Sequence, residues 1–300
     1  MTFTTTIKDE ITKINDNHLE ALVALSAYLN FNSTFTEEKL TIIMENASVT
    51  RWLFKLLKTS YDVEIILTTR TIKRFKTRNL YILEIKKKLS TIKANIDNLL
   101  KTILSCSNEE KIAFLKGLFL ASGSINDPRK NLYHLEFLVK KGSDANLINE
   151  LLISLDFNSK ILKRDREYMI YIKASEAISD FIKYLGAMNA LFYFEDIRIY
   201  KDHKNMVNRL NNCEQANMEK SLKSSESILN KIAYLEANNL LNLFDERTNE
   251  IIDYKKKYPD TSLAELAEII SLETNKTISK SGINHHCRKI NELIRKHTSN

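Results

Sequence analysis

Apolar residues first recur at helical spacing near the start of the chain. Leu19, Leu22, Val23, Leu25 and Leu29 predict a helix over residues 17–29, with Asp16 placed to cap it. Residues 40–44 read as a strand, and Ser48 opens a helix that reaches Leu57. Two β-rich runs, 64–69 and 80–85, flank the polar segment 70–79 and predict a hairpin. A further helix is expected over residues 91–104.

The same order then repeats. Ser107 and Glu110 form a capping box and open a helix in which Ile112, Leu115, Leu118 and Phe119 share a face. Residues 133–139 read as a strand and 143–155 as a helix capped by Ser143. Residues 160–163 and 168–173 predict a second hairpin, turned by Arg164 to Glu167, and 175–185 a closing helix. Corresponding points, Leu29 and Ser122, Ser48 and Ser143, Leu80 and Tyr168, lie 93, 95 and 88 residues apart. A helix–strand–helix–strand–strand order repeated at that interval predicts an α+β fold. It would be built from two duplicated halves, about 1–90 and 105–200, related by a pseudo-twofold axis within one domain, 1–200.

Beyond residue 200 the strand pattern stops. Residues 201–227 read as a helical linker, and 228–300 as an all-α domain. There, Ile251, Tyr254 and Tyr258 line a helix stopped by Pro259, and a second capping box, Ser262 with Glu265, opens a helix from Leu263. After a polar turn at 273–277, Ser279 caps a helix whose apolar stripe is Ile283, Cys287, Ile290 and Ile294. Two helices joined by a polar turn predict a helix-turn-helix. The start of its second helix would reach DNA base edges through Lys280, Ser281, Asn284, His285 and Arg288, with Ser279 and Lys289 in the same DNA-binding surface. Asn can pair adenine bidentately and Arg can pair guanine.

Charge adds a second surface. The chain has a net charge of +7. Residues 70–88 hold eight basic side chains against Glu84 alone, and 276–300 hold six against Glu292 alone. Each cluster by itself reads as a solvated face; two separate clusters point to two anion-contacting surfaces. Arg70, Lys73, Arg74, Lys76 and Arg78 are placed to contact a DNA backbone from the first hairpin.

Composition excludes several chemistries. Among 300 residues there are 5 glycines and 2 prolines, and no two glycines are spaced as G-x-G. A dinucleotide fingerprint is therefore impossible, and Gly117 and Gly123 are neither spaced nor followed as a P-loop needs. Three widely spaced cysteines fit a reducing compartment and offer no zinc site. His285, His286 and Cys287 are consecutive, so a helix points them apart. Met1 to Glu10 lacks the pattern of a signal peptide, and no apolar run spans a membrane. These features predict a soluble, cytoplasmic protein without cofactor, metal or membrane partner, and the DNA-contacting surfaces predict association with the nucleoid.

The ends of the two repeat helices carry the last signal. Leu115-Lys116-Gly117-Leu118-Phe119-Leu120-Ala121-Ser122-Gly123 resembles the LAGLIDADG helix of homing endonucleases, with Leu22 to Asn30 as its weaker partner. The resemblance implies that Ala24, Gly117 and Ala121 lie where the paired helices meet. It also puts Leu29 and Ser122, before Asn30 and Gly123, where the family holds its metal-binding acids. Neither is acidic, so no catalytic residue is expected. Asn30 stands in place of the usual Gly, as a residue that tolerates a left-handed cap.

The whole chain resembles the WhiA family of bacterial DNA-binding regulators. Phe114 to Pro128, Asn208 to Asn217 and Ile278 to His285 carry the likeness. It implies a degenerate LAGLIDADG domain followed by a helix-turn-helix, and a non-enzymatic regulator of transcription acting in cell division, chromosome segregation or sporulation. Double-stranded DNA is the expected partner, with other cell-division or transcription proteins beside it. The alternatives are an active homing-type endonuclease and a protein-interaction scaffold built on the degenerate domain.

Overall fold

Phe3, Ile7 and Ile11 fall four residues apart and bury one side of a first helix, α1 (Phe3–Ile11), which the sequence reading did not anticipate. The computed structural model describes residues 2–73 and 78–298, with Arg78 described by its backbone alone. The first half continues with α2 (His18–Asn32), β1 (Ser33–Phe35), β2 (Leu40–Met44), α3 (Ala47–Tyr61), β3 (Ile65–Ile72), β4 (Arg78–Ile85) and α4 (Leu89–Thr102). The second half repeats the order. It comprises α5 (Asn108–Ser122), β5 (Gly123–Ile125), β6 (Leu135–Val139), α6 (Gly142–Ile153), β7 (Lys160–Lys163), β8 (Tyr168–Ile172) and α7 (Ser175–Tyr184).

Each half folds as a four-stranded antiparallel sheet, in the orders β1-β2-β4-β3 and β5-β6-β8-β7. The register puts apolar residues on one face: Ile42 opposite Leu83, and Phe137 opposite Ile170, all buried. The duplicated α+β architecture read from the sequence is therefore the one observed. The short strands β1 and β5, which directly follow the paired helices, were not anticipated; at three residues each they carry too little periodicity to read.

Several caps differ from expectation. Asn17, not Asp16, caps α2, its Oδ1 accepting from Glu20 N at 2.8 Å. Asn46, not Ser48, caps α3 by accepting from Val49 N. The helix α6 begins at Gly142 after Lys141, with no side-chain cap, so Ser143 lies inside it. Adjacent polar residues compete for each cap, and which one wins depends on where the chain enters the helix.

A long helix, α8 (Met188–Ala237), leads into α9 (Glu246–Lys257), α10 (Leu263–Thr274) and α11 (Lys280–Thr298). The chain divides into two compact units, Met1–Asp202 and His203–Asn300. The first holds a single large core. The second is organised around Ile251, Leu266, Ile270, Ile283 and Cys287. Among the described residues no helix is long and apolar enough to cross a membrane.

Candidate nucleic-acid interface

In the second unit, the Ser262–Glu265 capping box forms as predicted, with Ser262 N donating to Glu265 Oε2 at 2.7 Å and Glu265 N to Ser262 Oγ at 3.2 Å. Asn275 ends α10 in the left-handed region, φ 53°, which Asn tolerates better than most residues. Five residues, 275–279, then turn the chain. Ser271 Oγ holds the turn by accepting from Ile278 N at 3.1 Å. Ser279 caps α11, its Oγ accepting from Gly282 N at 3.1 Å. Behind them, Lys255 is only 2% exposed and ties the α9–α10 connection together by donating to Pro259 O and Thr261 O. Burial holds its pKa below the usual lysine value.

This scaffold sorts the residues of α11 by face. Ile283, Cys287 and Ile290 are buried. Lys280, Ser281, Asn284, His285 and Arg288 are exposed, and none has a hydrogen-bond or ion-pair partner among the described residues. Lys289 differs. Its Nζ lies 2.9 Å from Asp245 Oδ2, and Asp245 also caps α9, accepting from Thr248 N at 2.8 Å. The Thr248 hydroxyl and the Lys289 ammonium hold the Asp245 carboxyl well below the usual carboxylate range. Thr248 Oγ1 in turn lies 2.8 Å from His286 Nδ1, so Lys289 and His286 join α11 to α9.

The basic hairpin is partly strand. Arg70 lies within β3 opposite Leu80, and Ile72 is opposite Arg78 at the start of β4, so the connection is shorter than the predicted loop 70–79. Lys73 is exposed just beyond β3, while Arg74 and Lys76 lie outside the described residues.

In the first unit, α2 and α5 form the central helix pair. Both are enclosed on all sides across Val23–Leu29 and Ala113–Leu120, rather than along one stripe. The two backbones come close at Gly117, where an added Cβ would come within 2.0 Å of the Ala24 carbonyl oxygen. Ala121 is half-buried against the core. At the helix ends, Leu29 is fully buried and the Ser122 Oγ is buried with no hydrogen-bond partner among the described residues, as is Asn30 Nδ2. Asn30 is not a left-handed cap, because α2 runs on to Asn32 and Ser33 Oγ donates to Leu29 O. Gly123 is extended, φ −78°, and its place under the Phe119 ring leaves no room for a side chain. Next to this end, Lys8 of α1 donates its Nζ to Leu120 O at 3.1 Å. Sequence reading missed Lys8, although the spacing of Phe3, Ile7 and Ile11 carried the signal for its helix.

Two α/β halves joined at a tight helix pair and followed by a helix-turn-helix define a LAGLIDADG-like protein with an added DNA-binding-type module. Family models agree segment by segment. Residues 15–100 match the WhiA N-terminal LAGLIDADG-like domain, 111–204 the WhiA LAGLIDADG-like domain, and 207–294 the WhiA C-terminal HTH domain. The chain is 37% identical over 311 residues to a Bacillus cereus (strain B4264) relative named probable cell division protein WhiA, covering 99% of this chain and 97% of the relative. A Bacillus anthracis relative of the same name matches equally. The chain belongs to the WhiA family. Its fold is that of full-length WhiA from Thermatoga maritima, with a TM-score of 0.61, 20% identity and 99% of each chain covered. The crystal structure of a WhiA N-terminal LAGLIDADG domain also matches, at a TM-score of 0.51 and 20% identity, over 62% of this chain and 92% of that one.

Proposed function

We propose that this chain is a DNA-binding regulator of the cell-division programme that performs no nuclease chemistry. The observation that carries the reading is the division of α11 into a buried face and a solvent face. The solvent face holds Lys280, Ser281, Asn284, His285 and Arg288 with their hydrogen-bonding groups unspent. Ser279 is assigned to capping, and Lys289 to holding α11 against α9, from where it can still add charge near a phosphate. Arg70 and Lys73 of the first hairpin, with Arg74, Lys76 and Arg78, supply backbone contacts in this reading. The names of the relatives support a place in cell division. Roles in chromosome segregation and transcription, in the cytoplasm at the nucleoid, follow from the same reading.

Loss of cleavage is supported by Leu29 and Ser122, which offer no carboxylate for a metal ion, and by a lysine ammonium at the end of α5. The test is duplex binding across a salt series, together with a plasmid-nicking assay in Mg²⁺. Binding that weakens steeply with salt and no nicking are expected. Salt-independent binding or nicking would reject the reading.

A scaffold role is favoured by one further observation. Ile66 and Ile72 of β3 are exposed, and the register puts them on the sheet face opposite the core, with Ile43 of β2 on the same face. Such apolar exposure suits a protein partner better than a phosphate backbone.

A further inference from the structure

A cleft in the first unit, remote in sequence from α11, has the features of a ligand site. It encloses about 420 Å³, within the roughly 300–1,000 Å³ usual for small-molecule sites. Three cations line it: Lys13 from the segment after α1, and Arg51 and Lys55, one turn apart on α3. None of the three forms an ion pair among the described residues. Arg51 is steadied by donating Nη2 to Ser48 Oγ at 3.2 Å, which leaves its other donors free. One carboxylate, Asp16, borders the cleft, and its charge is already taken: Lys116 Nζ lies 2.7 Å from Oδ1 and 2.6 Å from Oδ2. Among the described residues the cleft therefore keeps a positive balance.

Its other wall is apolar. Trp52, Ile14 and Leu56 line it, Ile14 among the exposed large hydrophobic side chains and Trp52 7% exposed, with its ring edge-on to Tyr28 at 6.1 Å. The Trp52 side chain has no hydrogen-bond partner among the described residues, so its indole N–H is unspent. Unpaired cations beside an aromatic wall match a ligand that is anionic at one end and flat and apolar at the other. Duplex DNA offers the phosphates but keeps its bases stacked, and so cannot fill the apolar wall. We propose that this cleft binds a phosphorylated small molecule of nucleotide type, with Lys13, Arg51 and Lys55 on the phosphates and Trp52 beside the ring.

The protein carries its own reporter, since Trp52 is its single tryptophan. The full chain is titrated with ATP and GTP, and separately with pyrophosphate, adenosine and a DNA duplex, while Trp52 emission is followed. A saturable change with at least one nucleotide, stronger than with pyrophosphate or adenosine, is expected. In an Arg51→Ala/Lys55→Ala variant that response should weaken by about tenfold or more, as loss of charge-assisted hydrogen bonds requires. Both side chains are exposed, and the variant's unfolding midpoint checks that the fold is intact. No nucleotide response, a response the double variant leaves unchanged, or equal binding of pyrophosphate overturns the proposal. So does a response to the duplex alone that the double variant removes, which would make the cleft a backbone contact.

Discussion

A methyl group on Gly117 would lie 2.0 Å from the carbonyl oxygen of Ala24 and 2.8 Å from its carbon. Both atoms belong to a helix backbone, so neither can move aside as a flexible side chain would. Gly117→Ala must push α2 and α5 apart along a seam enclosed on all sides. A loss of about 3 kcal/mol or more is expected, at or above the upper end of ordinary overpacking. Urea unfolding of the wild type and the variant measures it, and a loss under about 1 kcal/mol would mean that the helix pair adjusts freely.

In the Lys116–Asp16 pair the lysine is buried and the aspartate half-buried, with side chains 6% and 14% exposed. Asp16→Ala leaves the Lys116 ammonium without its counter-ion inside the core. The expected loss is about 3–5 kcal/mol, and Lys116→Met combined with Asp16→Leu should recover much of it. A double-mutant cycle on unfolding free energies checks both statements. Additive losses would show that the two groups do not depend on each other.

Stability should rise with pH through Lys8. Burial lowers its pKa from 10.5 to about 8, while its Nζ still donates to Leu120 O. Between those two values the unfolded chain holds a proton that the folded chain has released, so raising the pH favours folding. Below about pH 8 both states are protonated and the cost of burying the charge is fully present. The stability of wild type relative to Lys8→Met should therefore grow on going from about pH 7 to about pH 10. A flat difference over that range would place Lys8 in water.

On α11, exposed and engaged residues should separate in a binding assay. Alanine at Asn284 or Arg288 should cost about 1–3 kcal/mol of duplex affinity and relax sequence preference. Lys280→Ala should weaken binding and reduce its salt dependence. Lys289→Ala should cost less affinity and more stability, because its ammonium is held by Asp245. If Lys289→Ala were the most damaging to binding, the division of α11 into two faces would be wrong.

Much of this was legible in the sequence for a physical reason. The repeat, both hairpins, both capping boxes and the stripe of α11 are local patterns, and each formed where its period placed it. Contacts across the chain were not legible. Nothing near Asp16 in sequence marks it as the partner of Lys116, 100 residues away, so it read as a cap. Lys289 read as a DNA contact because Asp245 lies 44 residues upstream. Asn30 read as the end of its helix, at a position where a left-handed cap is tolerated, but α2 runs on to Asn32 and β1 takes the chain onward from there.

The contacts of α1 bear on how the first unit assembles. Thr4 Oγ1 donates to Ile125 O, 121 positions away. Lys8 reaches Leu120, 112 positions away. Glu10 Oε1 and Oε2 accept from Asn189 N and Ala190 N at the start of α8, 179 and 180 positions away. At the same time Asp9 accepts from Asn46 Nδ2 in the first half. During synthesis α1 emerges long before most of these partners, and the loop-closure cost of those long-range contacts is met once the second half is in place. A chain stopped after its first half keeps the packing of α1 on α3 but lacks its hydrogen bonds to Leu120, Ile125, Asn189 and Ala190. The helix α1 thus serves as a clasp that fastens the first half of the unit to the second.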